Sequence, residues 1–167
     1  MSIALTGRIL DIAALADELT GPAVLFGLDL GTKTIGVALS DLGRRMASPL
    51  ALVVRRKFTL DIEDLEKLVT EHRPAAIVIG LPLNMDGSEG PRAQATRAFV
   101  RNLLPRKDWT IVFWDERLST VAVTRTLIEA DTSRKKRGEL VDKMAAAFIL
   151  QGALDRLARI AADRAED

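Results

Sequence analysis

Residues 24–40 hold two β-type apolar runs on either side of a short link. Val24-Leu25-Phe26-Gly27-Leu28-Asp29 comes first, Gly31-Thr32-Lys33-Thr34 turns the chain, and Ile35-Gly36-Val37-Ala38-Leu39-Ser40 follows. Two such runs joined by a glycine-containing turn predict a β-hairpin. A third run at residues 47–54 extends it into an antiparallel meander. Helical and strand patterns then alternate. Asp61 is the candidate N-cap of a helix whose apolar face is Ile62, Leu65, Leu68 and Val69, ended by Pro74. Residues 75–80 are apolar and β-branched, as in a buried parallel strand. Residues 84–91, polar with two glycines, predict a loop. Ala95, Ala98, Phe99 and Leu103 mark the next helical stripe, stopped by Pro105. Residues 110–114 predict a strand ending at Asp115-Glu116-Arg117, after which Ser119 or Thr120 can cap a helix to about residue 129. A polar, basic stretch at residues 131–138 precedes a long Ala-rich helix. The order β-β-β-α-β-α-β-α plus a last helix, with right-handed connections, predicts an α/β domain: a mixed five-stranded sheet flanked by helices.

The 167 residues fit one domain. Residues 1–22 form an N-terminal extension, expected to be a short helix. Ile12, Leu15, Ala16 and Leu19 recur at helical spacing and Thr20-Gly21-Pro22 stops it. The domain is expected over residues 23–162, with a polar tail at 163–167. A hydrophobic content of 48% excludes global disorder. The absence of cysteine excludes disulfides, thiolate catalysis and sulfur-ligated zinc, and is compatible with a reducing cytosol, the expected location. Arg8, Asp11, Asp17 and Glu18 interrupt the first nineteen residues, which resemble neither a signal peptide nor a membrane span. No other apolar run approaches the ~18 residues a spanning helix needs, so a soluble protein is expected. The net charge of +1 gives no bulk support for nucleic-acid binding. Basic character is local: Arg44-Arg45, Arg55-Arg56-Lys57 and Arg134-Lys135-Lys136-Arg137, clusters that are ordinarily solvated surface.

Three acids fall where apolar segments end or an apolar helix face begins. Asp29 ends the first strand and Glu116 the last. Asp142 precedes Ala145, Ala146, Ile149 and Ala153, on the helix face that should press on the sheet. The alanines let that helix approach closely. Three carboxylates sharing one volume repel unless a cation neutralises them. Their hard oxygens suit magnesium or manganese, and two such ions roughly 4 Å apart support in-line phosphoryl displacement. Blander readings stand beside this one. Asp142 can complement a helix dipole and Glu116 can pair with Arg117. Asp29 is harder to explain away, because an acid between Leu28 and Leu30 in an apolar strand is costly unless liganded or hydrogen-bonded.

At these residues the chain resembles the YqgF family, relatives of the RuvC resolvases in the ribonuclease H-like superfamily. Four segments carry the resemblance, in order. They are Gly27-Leu28-Asp29-Leu30-Gly31-Thr32-Lys33-Thr34-Ile35-Gly36-Val37-Ala38, Gly80-Leu81-Pro82-Leu83-Asn84-Met85-Asp86-Gly87-Ser88, Asp115-Glu116-Arg117-Leu118-Ser119-Thr120 and Val141-Asp142-Lys143-Met144-Ala145-Ala146. The resemblance implies a ribonuclease H-like domain and a nuclease dependent on Mg2+ or Mn2+, with a two-metal site. Its catalytic and metal-binding acids would be Asp29, Glu116 and Asp142. It further implies processing of the 5′ end of pre-16S ribosomal RNA, or alternatively resolution of Holliday junctions. RuvC relatives place a glutamate on the fourth strand, whereas here that strand ends Gly80-Leu81-Pro82. Glu116 on the next strand is the natural substitute, with Asp115 and Asp86 as the other candidates.

The nucleic-acid-binding candidates are Lys33 in the hairpin turn, Arg92 near a helix N-terminus, Arg117, and Arg134, Lys135, Lys136 and Arg137 before the Asp142 helix. His72, the only histidine, ends a helix before Pro74 and reads as a helix-end residue. The expected partner is nucleic acid, precursor rRNA ahead of DNA junctions, with no membrane, and the chain acting as monomer or homodimer. Two competing readings are an ATP-binding hairpin of the kind found in actin and sugar kinases, which need a second domain, and a non-catalytic RNA-binding assembly module.

Overall fold

The computed structural model of the protein describes residues 6–118 and 134–167, the last of these by backbone alone as far as residue 142. The helix expected after Ser119 or Thr120 lies outside the described residues. In chain order the elements are β1 (Arg8–Leu10), α1 (Ile12–Glu18), β2 (Phe26–Leu30), β3 (Thr34–Ser40), β4 (Ala47–Val54), α2 (Phe58–His72), β5 (Ile77–Leu81), α3 (Pro91–Leu103), β6 (Thr110–Asp115), a 3-10 turn (Glu116–Leu118) and α4 (Arg134–Ala165).

Among the described residues the sheet has six strands, in the order β1-β6-β5-β2-β3-β4. The β2–β3 and β3–β4 pairs are antiparallel, as the hairpin pattern predicts, while β5 joins β2 and β6 joins β5 in parallel. The sixth strand corrects the expected five. Within the segment expected to be only a helix, Arg8, Ile9 and Leu10 pair in parallel with Thr110, Ile111 and Val112. Three residues are too few to show a strand period, and their partner lies about a hundred residues away. α1 follows, capped by the Asp11 carboxylate, which accepts the Ala14 N–H at 2.7 Å. Arg8 pairs with Glu18, which ties β1 to the far end of α1.

Strand alternation divides the core into two layers. Phe26, Leu28, Ile35, Val37 and Ile79 pack with Ile62 and Leu65 of α2 and Phe99, Val100 and Leu103 of α3. On the opposite face Val78, Val112 and Trp114 pack with Leu15 of α1 and Ala145, Ala146, Ile149, Leu150 and Ala153 of α4. α4 approaches the strands very closely. A Cβ placed on Gly27 would lie 2.6 Å from the Leu150 Cβ and 2.8 Å from the Ala146 carbonyl oxygen. Neither atom can swing aside, so Gly27→Ala should force the helix outward. The expected loss is about 2 kcal/mol, lowering Tm by roughly 4–8 °C, as a thermal melt would read.

Three local expectations are corrected. α2 begins at Phe58 after Lys57, so Asp61 is not its N-cap. Asp61 instead sits one turn inside, buried, and accepts the Arg56 N–H at 2.8 Å. The inward face of α3 is Ala93, Thr96, Phe99, Val100 and Leu103, and Ala95 is exposed. Thr96 tolerates burial because its hydroxyl donates to the Arg92 carbonyl at 3.0 Å. Residues 134–137, expected as a basic loop, form the first turn of α4, in keeping with the good helix propensity of Arg and Lys.

Candidate active site

The candidate acids Asp29 and Glu116 lie at the C-terminal ends of β2 and β6, on either side of the end of β5. In β2, Phe26 and Leu28 enter the α2/α3 layer, so Gly27 and Asp29 face α4. Asp29 is 2% exposed, an ionisable group in an apolar strand that needs polar partners or a cation. Its antiparallel neighbour on β3 is Gly36. One residue beyond the Leu28–Ile79 pair, the β2–β5 register brings it level with Gly80. Asp29 therefore lies between two strand positions without side chains.

Glu116 enters that space from the other side. Val112 and Trp114 face α4, and two residues later Glu116 keeps the same face as β6 passes into the 3-10 turn. A Cβ on Gly80 would lie 2.7 Å from Glu116 Oε1 and 3.1 Å from its Cγ. The Glu116 side chain thus covers Gly80, where β5 lacks an acid of its own.

The rival middle acids are held elsewhere. Asp115 points to the opposite face and takes a bidentate contact from Arg117, with Nη2 at 2.7 Å. That hydrogen bond holds the Asp115 carboxyl below the usual carboxylate range and raises the Arg117 pKa. Arg117 Nη1 also donates to the Met85 carbonyl at 3.3 Å, bracing the 84–88 loop. Asp86 accepts the Ser88 hydroxyl at 2.6 Å and the Ser88 N–H at 2.9 Å, which lower its pKa. Gly87, at φ +87°, closes this turn against Arg117.

Of the remaining predicted residues, Lys33 is exposed in the turn that follows Asp29, and Arg92 is exposed as the second residue of α3 after the Gly90 cap. His72 ends α2 as expected, its ring edge-on to Phe26 at 5.9 Å. Asp142 lies in α4 one turn before Ala146. Its side chain, like those of Arg134, Lys135, Lys136 and Arg137, lies outside the described residues. Among the described residues no three acidic, histidine or cysteine side chains form a metal-holding group. Two residues escaped the sequence reading. Gly80 registered there only as a missing acid, and Arg55 only as part of a basic run.

The chain belongs to the RuvX family: the family model described as "RuvX: Holliday junction resolvase" matches residues 23–156. Its curated relatives are named as nucleases. A Rhodobacter capsulatus protein named "Putative pre-16S rRNA nuclease" is 65% identical over 136 residues, covering 81% of this chain and 86% of its own. One of the same name from Methylocella silvestris is 57% identical over 159 residues, covering 95% and 99%. Among solved structures, T. thermophilus RuvC in complex with a Holliday junction substrate is 11% identical, at a TM-score of 0.46 over 84% of this chain and 96% of that one.

Proposed function

We propose that this chain is a divalent-metal-dependent nuclease that processes the 5′ end of precursor 16S rRNA, with Asp29, Glu116 and Asp142 as its catalytic, metal-holding acids. The observation that carries the reading is the carboxylate of Glu116 lying over Gly80, on the same sheet face and at the same strand ends as buried Asp29. The donor set fits the group: carboxylate oxygens, no sulfur and no histidine suit magnesium or manganese, as a single ion or a pair. Bound there, such ions supply activation of water and neutralisation of charge at the departing oxygen. Asp29 is fixed by its strand, and Glu116 reaches in from the start of the 3-10 turn. Asp142 stands three, four and seven residues before Ala145, Ala146 and Ile149, which pack on the sheet, and that helical spacing supports its inclusion.

Lys33, Arg92 and residues 134–137 are assigned to the substrate backbone, with Arg117 adding charge at the same edge while bound to Asp115. Replacing Arg134, Lys135, Lys136 and Arg137 together by alanine should weaken binding across sequences and flatten its salt dependence, since fewer counterions are released. Unchanged affinity and slope in a salt titration would return them to ordinary surface. The rRNA substrate follows the names of the relatives, and the family description favours a second reading, a resolvase for four-way DNA junctions. No helix among the described residues is long and apolar enough to cross a membrane; the cytoplasm as the place of action follows from the proposed rRNA substrate.

The deciding experiment is a cleavage panel of precursor 16S rRNA, single-stranded RNA and four-way DNA junctions, each with manganese, magnesium or chelator. Metal-dependent cleavage confined to the precursor is the expected result. Paired symmetric nicks in the junction would establish the second reading. Binding without cleavage of any substrate would leave a non-catalytic RNA-binding module.

A further inference from the structure

The run Arg55-Arg56-Lys57 has the composition of solvated surface, but two of its three residues are engaged. Arg55 follows β4 directly and reaches back over the β2–β3 turn. Its backbone N–H donates to the Lys33 carbonyl at 2.8 Å and its Nη1 to the Gly31 carbonyl at 2.7 Å. The same turn is closed from within by the Gly31 N–H on the Thr34 carbonyl at 2.9 Å. Behind it, the Arg55 Nε lies 3.8 Å from a carboxylate oxygen of Asp61, whose side chain is 2% exposed. The guanidinium sits 5.7 Å from the centre of the Phe99 ring, a cation–π contact with α3. Asp61 is itself fixed by the Arg56 N–H, and Arg56 pairs with Asp64 at 2.7 Å.

We propose that Arg55, backed by Asp61, is a positioning residue that fixes the 31–33 turn and so holds Asp29 and Lys33 for cleavage. The turn begins two residues after Asp29 and carries Lys33, so its backbone sets where both groups stand. Hairpin turns at a sheet end are otherwise among the more readily opening parts of a fold. A buried carboxylate needs a cationic or hydrogen-bonding partner. Here the Arg56 N–H supplies the hydrogen bond, and the guanidinium that also grips the turn supplies the facing charge. Asp61, on α2, thereby connects the α2/α3 layer to a site on the α4 side of the sheet.

The inference rests on the reading of Asp29 as a site acid, and the experiment keeps the two apart. In Arg55→Met, amide exchange at Gly31 should rise about tenfold, with Leu28 and Val37 unchanged. Manganese affinity by calorimetry and kcat for cleavage should each fall about tenfold, the scale of losing a supporting contact behind a metal ligand. Arg55→Lys keeps one donor and should recover part of each. Asp61→Asn keeps an acceptor for the Arg56 N–H but removes the charge facing Arg55, and should move the same quantities in the same direction. These two variants carry the test if Arg55→Met fails to fold. Unchanged exchange at Gly31 overturns the proposal. So does faster exchange with manganese affinity and kcat at parental values. An inactive Asp29→Asn beside an unaffected Arg55→Met would overturn the positioning role and spare the site, whereas a fully active Asp29→Asn would overturn both.

Discussion

Asp29→Asn is expected to abolish metal-dependent cleavage while the domain stays folded. Asparagine is nearly isosteric and still hydrogen-bonds, but it lacks the charge that holds a hard cation. Loss of an outer partner of a metal ligand alone reduces activity about 10- to 100-fold, so loss of a ligand should exceed a hundredfold. Stability should move the other way. In the proposed carboxylate cluster, neutralising one member would relieve repulsion, so Tm in chelator should equal or exceed the parent's. Substrate binding should persist, because the proposed backbone contacts come from Lys33, Arg92 and residues 134–137. Thermal melts paired with cleavage assays read all three. A folded, fully active Asp29→Asn would remove Asp29 from the chemistry.

The second large effect is expected from adding a single methyl group. In Gly80→Ala the new Cβ would lie 2.7 Å from Glu116 Oε1 and 2.5 Å from Ile149 Cδ1. Both atoms are ends of flexible side chains, so the backbone can stay where it is. The stability loss should be near the low end of overpacking, about 1 kcal/mol. The Glu116 carboxyl, however, must leave the space it occupies, and a displacement of about 1 Å at a reacting group can reduce rate about a hundredfold. Gly27→Ala differs in stability: its Cβ presses on the backbone of α4, the helix that carries Asp142, so both Tm and cleavage should fall. If Gly80→Ala keeps parental kcat, the position of Glu116 over β5 is irrelevant to cleavage.

The meander and the alternating strands and helices could be read from the sequence because each rests on a short-range period, and Asp29 lies one residue from the strand end where it was expected. Residues that depend on partners distant in the chain could not. Residues 8–10 are recognisable as a strand only once β6 is beside them. Thr96 hides on the core face of α3 because its hydroxyl is satisfied within its own helix, and polarity alone assigned the stripe to Ala95. Asp61 has the chemistry of an N-cap but occurs one turn late, because its work is to receive Arg56 and Arg55. The reading of Glu116 as the substitute acid gains its structural support from a steric feature. The side chain missing from Gly80 leaves the volume that Glu116 fills, and no one-dimensional pattern records that exchange.

The pairing of β1 with β6 also has a consequence for how the chain is made. When Arg8 is added to the growing chain its strand partner Thr110 is still 102 residues from being joined, an interval of roughly 5–20 s at ordinary elongation rates. The β2–β3, β3–β4 and β2–β5 pairings, by contrast, all join strands that lie within residues 26–81. Leu15, fully covered in the folded protein, packs in the layer that Leu150 and Leu154 of α4 complete, so it lacks that shelter until α4 has been made. The native contacts of β1 and α1 can therefore form only after β6 and α4 have been made. A nascent chain stalled between β5 and β6 would present the ribosome-associated chaperones with an unpaired β5 edge and a bare apolar helix at the same time.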